Sequence, residues 1–453
     1  SKKGKPLRTH LMIPHTPCTD PGCRSCRPQP PHAEDLENVL QGHTGSVQEQ
    51  HHPVRDFLRL HFRDYCASHQ VPEHKRKIMN ALMACKSGDL GYTVVRCSEC
   101  GHTEMHACAC GNRNCPSCGY LKELQWVEER KSEVIPGIPY FHLVFTLPHS
   151  LNELMYQNQR ETLNLLFRSV KDSLLALSMG RMKMVPGILM VLHTFGSNLT
   201  LHYHLHVLVS GGGLSADKKE FRHCPSGKFF LPVKPLSVLY RGKFLDGLKK
   251  LRDSGRLEFF NDARKYRNSY SWKELLDSCY KADWNVEIRP LSPVSASGNP
   301  SKADAETTDN AISYFARYTN RTAISDSRIE SFDEREIRFR YKQYNGASYT
   351  MKSMGLSAEE FIRRFLMHLL PPGFMKVRSA GFLSGSVRKK YLTLIHRLLH
   401  SEYRESPVKK MKSAELILHF YKRDITVCDY CHGTLDIIQR LDYITASRFI
   451  RAS

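Results

Sequence analysis

No run of 18 apolar residues occurs in this 453-residue chain, so no helix spanning a membrane is expected. No apolar segment follows the basic start Ser1-Lys2-Lys3-Gly4-Lys5, so no secretion signal is expected either. A Gly-x4-Gly-Lys-Ser/Thr loop is missing, which excludes a recognisable P-loop ATPase. Internal repeats and long low-complexity tracts are absent as well. Negative charge is scarce: 45 Asp and Glu stand against 66 Lys and Arg, a formal net charge of +21. An excess of that size usually marks a polyanionic partner, because each neutralised phosphate releases counterions. Charge alone also suits a ribosome-like or membrane-surface protein.

Cysteine, in contrast, is plentiful. The 15 cysteines fall mostly in Cys-x2-Cys pairs. Without an export signal, that pattern reads as metal ligation in a reducing, cytoplasmic compartment. Cys97-Ser98-Glu99-Cys100-Gly101 and Cys115-Pro116-Ser117-Cys118-Gly119 are two zinc knuckles, each ending in a glycine that permits a tight turn. The expected tetrahedral site is Cys97, Cys100, Cys115 and Cys118. Cys110, Cys108, His102 and His106 are surplus candidates for a second ion. His15, Cys18, Cys23 and Cys26 have knuckle spacing, or are scattered groups in a tail. Cys428 and Cys431 form a pair that needs a distant partner such as His419. Arg113, Lys122 and Arg130 lie close enough to the knuckles to touch DNA.

Four segments follow from composition and periodicity. Residues 1–50 are basic and Pro-rich. Residues 51–134 are helical and then cysteine-rich: Val54, Phe57, Leu58 and Phe62 recur at helical spacing, and Ile78, Leu82 and Cys85 mark a second helix over 73–86. Residues 135–330 alternate strand and helix patterns, with a strand at Pro139 to Pro148 and a helix over 151–178. Residues 331–453 are basic. They open with strands or a hairpin around Asn345-Gly346, and the rest is expected to be mainly helical. Ser357 and Glu360 have capping-box spacing before a helix at Phe361 to Leu370. Ser292 to Asp309 reads as a surface loop. The helix after it, Asn310 to Asn320, is expected to take Thr308 or Asp309 as its N-cap.

Two patterns carry chemistry. Leu201-His202-Tyr203-His204-Leu205-His206-Val207 alternates toward the glycine stop Gly211-Gly212-Gly213. In a strand, His202, His204 and His206 line one face, opposite Leu201, Leu205 and Val207. Two such imidazoles can share a metal ion. A turn at Gly196-Ser197-Asn198 folds His193 back as a third ligand, with His202 competing for that place. The same residues also suit satisfied histidines on a half-buried strand. The second pattern is Tyr314-x3-Tyr318, two hydroxyls on one helix face, flanked by Arg317 and Arg321. Core packing of both tyrosines is the simpler reading of that helix by itself.

Together these residues resemble a known family. His204-Leu205-His206 is similar to the HUH motif of the HUH endonucleases, and Tyr314-x3-Tyr318 to their two-tyrosine nucleophile motif. Phe145-Thr146-Leu147-Pro148 is similar to the strand that precedes the HUH strand. With the cysteine module in front, the chain resembles the rolling-circle insertion-sequence transposases from about residue 70 to residue 390. The resemblance implies an α+β fold: an HUH core, with an antiparallel sheet flanked by helices, a central His strand and the tyrosine helix beside it. It implies His204, His206 and His193 as ligands of Mg²⁺ or Mn²⁺, structural Zn²⁺ in the cysteine module, and Tyr314 and Tyr318 as nucleophiles. Arg317 and Arg321 are candidate phosphate clamps by position. The implied activity is single-stranded DNA cleavage and rejoining at element ends through a 5′-phosphotyrosine. The implied partners are terminal DNA hairpins and a host helicase, in a nucleoid-associated setting. A plasmid replication initiator or relaxase of the same chemistry, and a zinc DNA-binding protein without catalysis, are the competing readings.

Overall fold

The computed structural model describes residues 52–224, 231–291, 302–319, 321–345 and 348–441, with side chains from 311 onward in the segment that begins at 302. The candidate knuckle His15, Cys18, Cys23 and Cys26 lies outside the described residues, as does Gly346. Among the described residues no helix is long and apolar enough to cross a membrane.

The chain opens with helices α1 (Pro53–Ser68) and α2 (Glu73–Met83), followed by strands β1 (Tyr92–Cys97) and β2 (Thr103–Ala107). Helix α3 (Tyr120–Lys131) leads to β3 (Tyr140–Thr146), then α4 (Asn152–Gln157) and α5 (Gln159–Met182). Next come β4 (Met184–Phe195), β5 (Leu201–Ser215) and β6 (Phe221–His223), then α6 (Val233–Asp253), α7 (Ser269–Lys281), β7 (Val286–Pro290) and α8 (Lys302–Thr319). The remainder holds β8 (Ile329–Phe332), β9 (Glu336–Asn345), β10 (Ser348–Ser357), α9 (Ala358–Met367), β11 (Val377–Gly381), α10 (Arg388–Leu398), α11 (Ser413–Tyr421) and β12 (Leu435–Leu441). The architecture is α+β, and its sheets pair antiparallel throughout.

The largest sheet runs β11-β4-β5-β3-β7, with β6 alongside β5, so the histidine strand β5 takes the middle. Period-2 alternation gives it two different faces. Tyr203, Leu205, Val207 and Val209 join Leu163 and Leu166 of α5 and Phe244 and Leu248 of α6 in one core. Leu208 belongs to the opposite core, with Ile312 and Phe315 of α8 and Leu392 and Ile395 of α10. A third cluster packs Phe57 and Leu58 of α1 against Phe339 of β9 and Phe361 and Phe365 of α9. Segments far apart in the chain thereby share one core.

Several expectations need correction. The C-terminal third is not mainly helical: β9, β10, β11 and β12 alternate with its helices. Val377–Gly381 is too short to announce itself as a strand, yet it completes the edge of the large sheet against β4. The helix expected from Asn310 begins at Lys302. Lys302-Ala-Asp-Ala-Glu holds good helix formers, and its acidic residues suit a helix N-terminus, so Thr308 and Asp309 are interior rather than capping. The glycine run does not stop β5, which continues to Ser215. Those glycines let backbones approach closely: a Cβ on Gly213 would sit 2.4 Å from the Val185 carbonyl oxygen. Ser357 does cap α9, its hydroxyl accepting from the Glu360 N–H at 3.3 Å.

Phe315 is fully buried and holds α8 to the sheet. Phe315→Ala should therefore cost about 3–5 kcal/mol of stability in chemical denaturation. A loss below about 1 kcal/mol would show that α8 docks by other means.

Candidate active site and zinc groups

The histidine site is built by the β4–β5 hairpin. Its turn closes with Gly196 N–H donating to the Thr200 carbonyl at 2.9 Å, and Asn198 Oδ1 accepts from the Thr200 hydroxyl at 2.7 Å. The register sets His193 directly across from His204, and Val191 across from His206. Nitrogen atoms of His193, His204 and His206 lie within 4.8 Å of one another, and all three residues are buried. The rings stand steeply tilted, at 71–88° to one another. His202 is not part of the group; its ring lies 5.5 Å from that of His149.

Hydrogen bonds fix which nitrogen of each ring faces inward. His193 Nε2 lies 2.7 Å from the Tyr318 carbonyl and, as donor, leaves Nδ1 free. His204 Nδ1 lies 2.8 Å from the His202 carbonyl and leaves Nε2 free. His206 Nδ1 lies 3.0 Å from His142 Nε2, so its own Nε2 is the free donor atom. Burial, and then the neighbouring His202, hold His204 down at about 3. Burial and the adjacent rings push His193 and His206 well below the ordinary imidazole value. All three are therefore neutral at physiological pH and offer lone pairs, the form that binds metal.

Helix α8 brings the tyrosines to the same face. Tyr318 stacks on His206 with centroids 3.9 Å apart, and its hydroxyl donates to the Tyr314 hydroxyl at 3.1 Å. Burial, then the Tyr314 contact, raise the Tyr318 phenol above its usual value, while Arg321 and Arg289 oppose that rise. The Arg317 guanidinium sits over the Tyr314 ring at 5.6 Å.

Among the described residues the cysteines form two groups of four, and neither is the expected one. Cys115 and Cys118 join Cys85 and Cys110; Cys97 and Cys100 join Cys428 and Cys431. The first group sits under α1 and α2, where the end of α2 delivers Cys85 and the Cys85 sulfur accepts the Cys110 N–H at 3.4 Å. Cys108 is outside both groups. His102 and His106 lie against Glu104, at 3.4 and 3.0 Å, and belong to neither group. His419 is in neither group. Arg113 donates to the Phe374 carbonyl and Arg130 pairs with Glu133 at 2.9 Å, so both support the fold from within.

Comparison with known proteins gives two family matches. The Y2_Tnp model, described as "Putative transposase", covers residues 187–391, and the Zn_Tnp_IS91 model, "Transposase zinc-binding domain", covers residues 57–147. The "Putative transposase y4qJ" of Sinorhizobium fredii is 35% identical over 399 residues, which is 86% of this chain and 96% of that protein. The chain belongs to the IS91-type insertion-sequence transposases. That family is of the rolling-circle HUH type. The transposase for insertion sequence element IS801 of Pseudomonas savastanoi pv. phaseolicola is 26% identical over 388 residues, 83% of this chain and 88% of the relative. No solved structure shows a significant match. The transposase family implies DNA endonuclease and strand-transfer activity, and the cysteine groups fit structural zinc.

In this transposase, three residues beside the site escape a motif-based reading. His142 on β3 faces His206, and burial, then Arg289, hold it at about 4. The signal was present: β3 pairs with β5, and period 2 puts His142, Val144 and Thr146 on the face of His204 and His206. Arg289 on β7 pairs in register with His142 and is bonded to Glu287. Lys376 donates to the Arg321 carbonyl at 3.4 Å, and burial lowers its ammonium to about 8.

The imidazole values carry a pH signature. His142 and His204 lie below the free-imidazole 6.5 when folded, so the unfolded chain binds more protons in acid. Their contribution is complete above pH 6.5 and is lost as pH falls toward 4 and 3. The urea midpoint of metal-free protein should fall over that window, and more gently in His142→Phe. Identical pH slopes for both proteins would contradict a neutral, buried His142.

Proposed function

We propose that this transposase cleaves and rejoins single-stranded DNA at element ends, with Tyr318 and Tyr314 as nucleophiles, within an HUH core formed by the large sheet and α8. The observation that carries the proposal is the stacking of Tyr318 on His206, beside three neutral imidazoles with converging lone pairs. His193 Nδ1, His204 Nε2 and His206 Nε2 would hold a divalent ion, and His142 would keep His206 in the required tautomer by accepting its Nδ1–H. Three nitrogens suit Mn²⁺ better than Mg²⁺, which prefers oxygen, so phosphate and water must complete the shell for either ion. When bound there, the ion polarises the phosphoryl oxygens and offsets the charge that builds up on them.

The chain supplies the rest. The tyrosine oxygen attacks phosphorus, the bond to the 3′-oxygen breaks, and a 5′-phosphotyrosine forms. The net proton transfer is from the phenol to the leaving 3′-oxygen, and Tyr314 Oη is the first acceptor in line for the Tyr318 proton. Arg321 and Arg289 lower the cost of the phenolate and of the charged phosphorane. The ester bond energy stays in the adduct, so the 3′-hydroxyl of another strand can reverse the step without ATP. Two tyrosines allow two such transfers before either end is released. Terminal DNA hairpins as substrate and a helicase borrowed from the host complete this reading, in keeping with the net charge of +21 and the missing P-loop. We place the division of labour at residues 51–134 for the zinc module, 135–330 for the catalytic core and 331–453 for the basic remainder, from which Val377–Gly381 adds the edge strand of the core's sheet.

Single-stranded oligonucleotides from the element ends, incubated with protein and Mn²⁺, should give a covalent protein–DNA band on a denaturing gel. The Tyr314→Phe/Tyr318→Phe double variant should lose it, and Tyr318→Phe should lose more of the first cleavage than Tyr314→Phe. Tight binding without any band would favour a non-catalytic DNA-binding protein.

A further inference from the structure

We propose that Cys97, Cys100, Cys428 and Cys431 form a second zinc site, a clasp that ties the C-terminal ribbon to the N-terminal cysteine module. Cys428 and Cys431 lie beyond both family-matched spans, which end at residues 147 and 391. Cys97 and Cys431 are 334 positions apart, yet their sulfurs are 3.4 Å apart, and those of Cys100 and Cys428 are 3.8 Å apart. All four sulfurs fall within 4.8 Å of one another. Zinc–sulfur bonds of about 2.3 Å in a tetrahedron put sulfurs about 3.8 Å apart. A disulfide requires about 2.05 Å, so these spacings suit a shared ion and not a covalent bond.

The two half-sites are built alike. In the first, Cys97 N–H donates to the His102 carbonyl at 2.8 Å and Gly101 N–H to the Cys97 carbonyl at 3.1 Å. In the second, Cys428 N–H donates to the Gly433 carbonyl at 2.8 Å and His432 N–H to the Cys428 carbonyl at 3.0 Å. Each knuckle turns on a left-handed residue at the same place, Gly101 at φ 73° and His432 at φ 61°. His432 bears a side chain there, a conformation that costs a non-glycine residue free energy unless its surroundings hold it. The knuckles also grip one another: Ser98 N–H donates to the Thr434 carbonyl at 2.9 Å, and a Cβ on Gly433 would press on Cys97 Sγ at 3.0 Å.

The surrounding sheet needs such a staple. Strand β12 pairs with β1 from Cys97↔Leu435 to Tyr92↔Leu441, in the three-stranded sheet β12-β1-β2. Its apolar cluster has only Val94 and Leu441 buried, with Tyr92 and Met105 against them, while Ile437 and Ile438 face solvent. A core that small does not hold three strands by burial alone, and a structural metal is the usual remedy. The clasp thus makes the position of β12 depend on zinc.

Full-length protein purified without chelator should carry at least two zinc ions, one for each described cysteine group, by elemental analysis. Cys428→Ser/Cys431→Ser should carry one zinc fewer per chain than wild type and lose β12 to limited trypsin digestion, with the rest of the chain intact. An unchanged zinc content in that variant overturns the proposal. Cobalt-substituted wild type provides a check that needs no variant: its sulfur-to-cobalt absorbance should match at least eight thiolates, the two described groups together. Absorbance for half that number overturns the clasp as well.

Discussion

The antiparallel pairing of β4 with β5 is the constraint on which the site depends. One register places His193 across from His204 and leaves His206 one step further along the same face. A slip of one residue would turn the imidazoles into the Leu163 and Phe244 core and send Leu205 and Val207 toward the tyrosines. The opposite faces of β5 are therefore a single decision: burying Leu205 and Val207 against α5 and α6 is what presents His204 and His206 to α8. Burial then does chemical work, because desolvated imidazoles stay neutral and keep their lone pairs.

Charge is distributed to match. The candidate metal group consists of imidazoles without a carboxylate; Arg321 and Lys376 bring positive charge beside it, while Arg289 is ion-paired with Glu287 on the same face of the sheet. The three ligands carry no negative charge themselves, so on the proposed function a phosphodiester would supply counter-charge to a bound metal. The tyrosines sit where that phosphate would meet the imidazoles. Their mutual hydrogen bond, together with the stacking on His206, fixes both rings before any substrate arrives.

Much of this was legible from local patterns. The alternation of His202, His204 and His206 and the four-residue step from Tyr314 to Tyr318 are short-range signals with one geometric meaning each. The turn chemistry of Gly196-Ser197-Asn198 was enough to bring back His193. What escaped was set by long-range contact. The two knuckles look like one site because they are neighbours in sequence, but Cys115 and Cys118 close on Cys85 at the end of a helix, where a cysteine passes for a small core residue. Cys97 and Cys100 face a pair more than three hundred positions away. His142 lacked a motif because its relation to His206 runs across a strand pair, and Val377–Gly381 lacked length. The early start of α8 was hidden by Thr308 and Asp309, residues that favour caps but tolerate a helix interior.

On the proposed function, three imidazoles on one hairpin would hold a divalent ion beneath a stacked tyrosine. Crystals soaked in Mn²⁺ and measured at the manganese edge test it directly. One anomalous peak should appear, bonded to His193 Nδ1, His204 Nε2 and His206 Nε2, on the side of Tyr318. A map without a peak there, or with manganese bound only elsewhere, would contradict it.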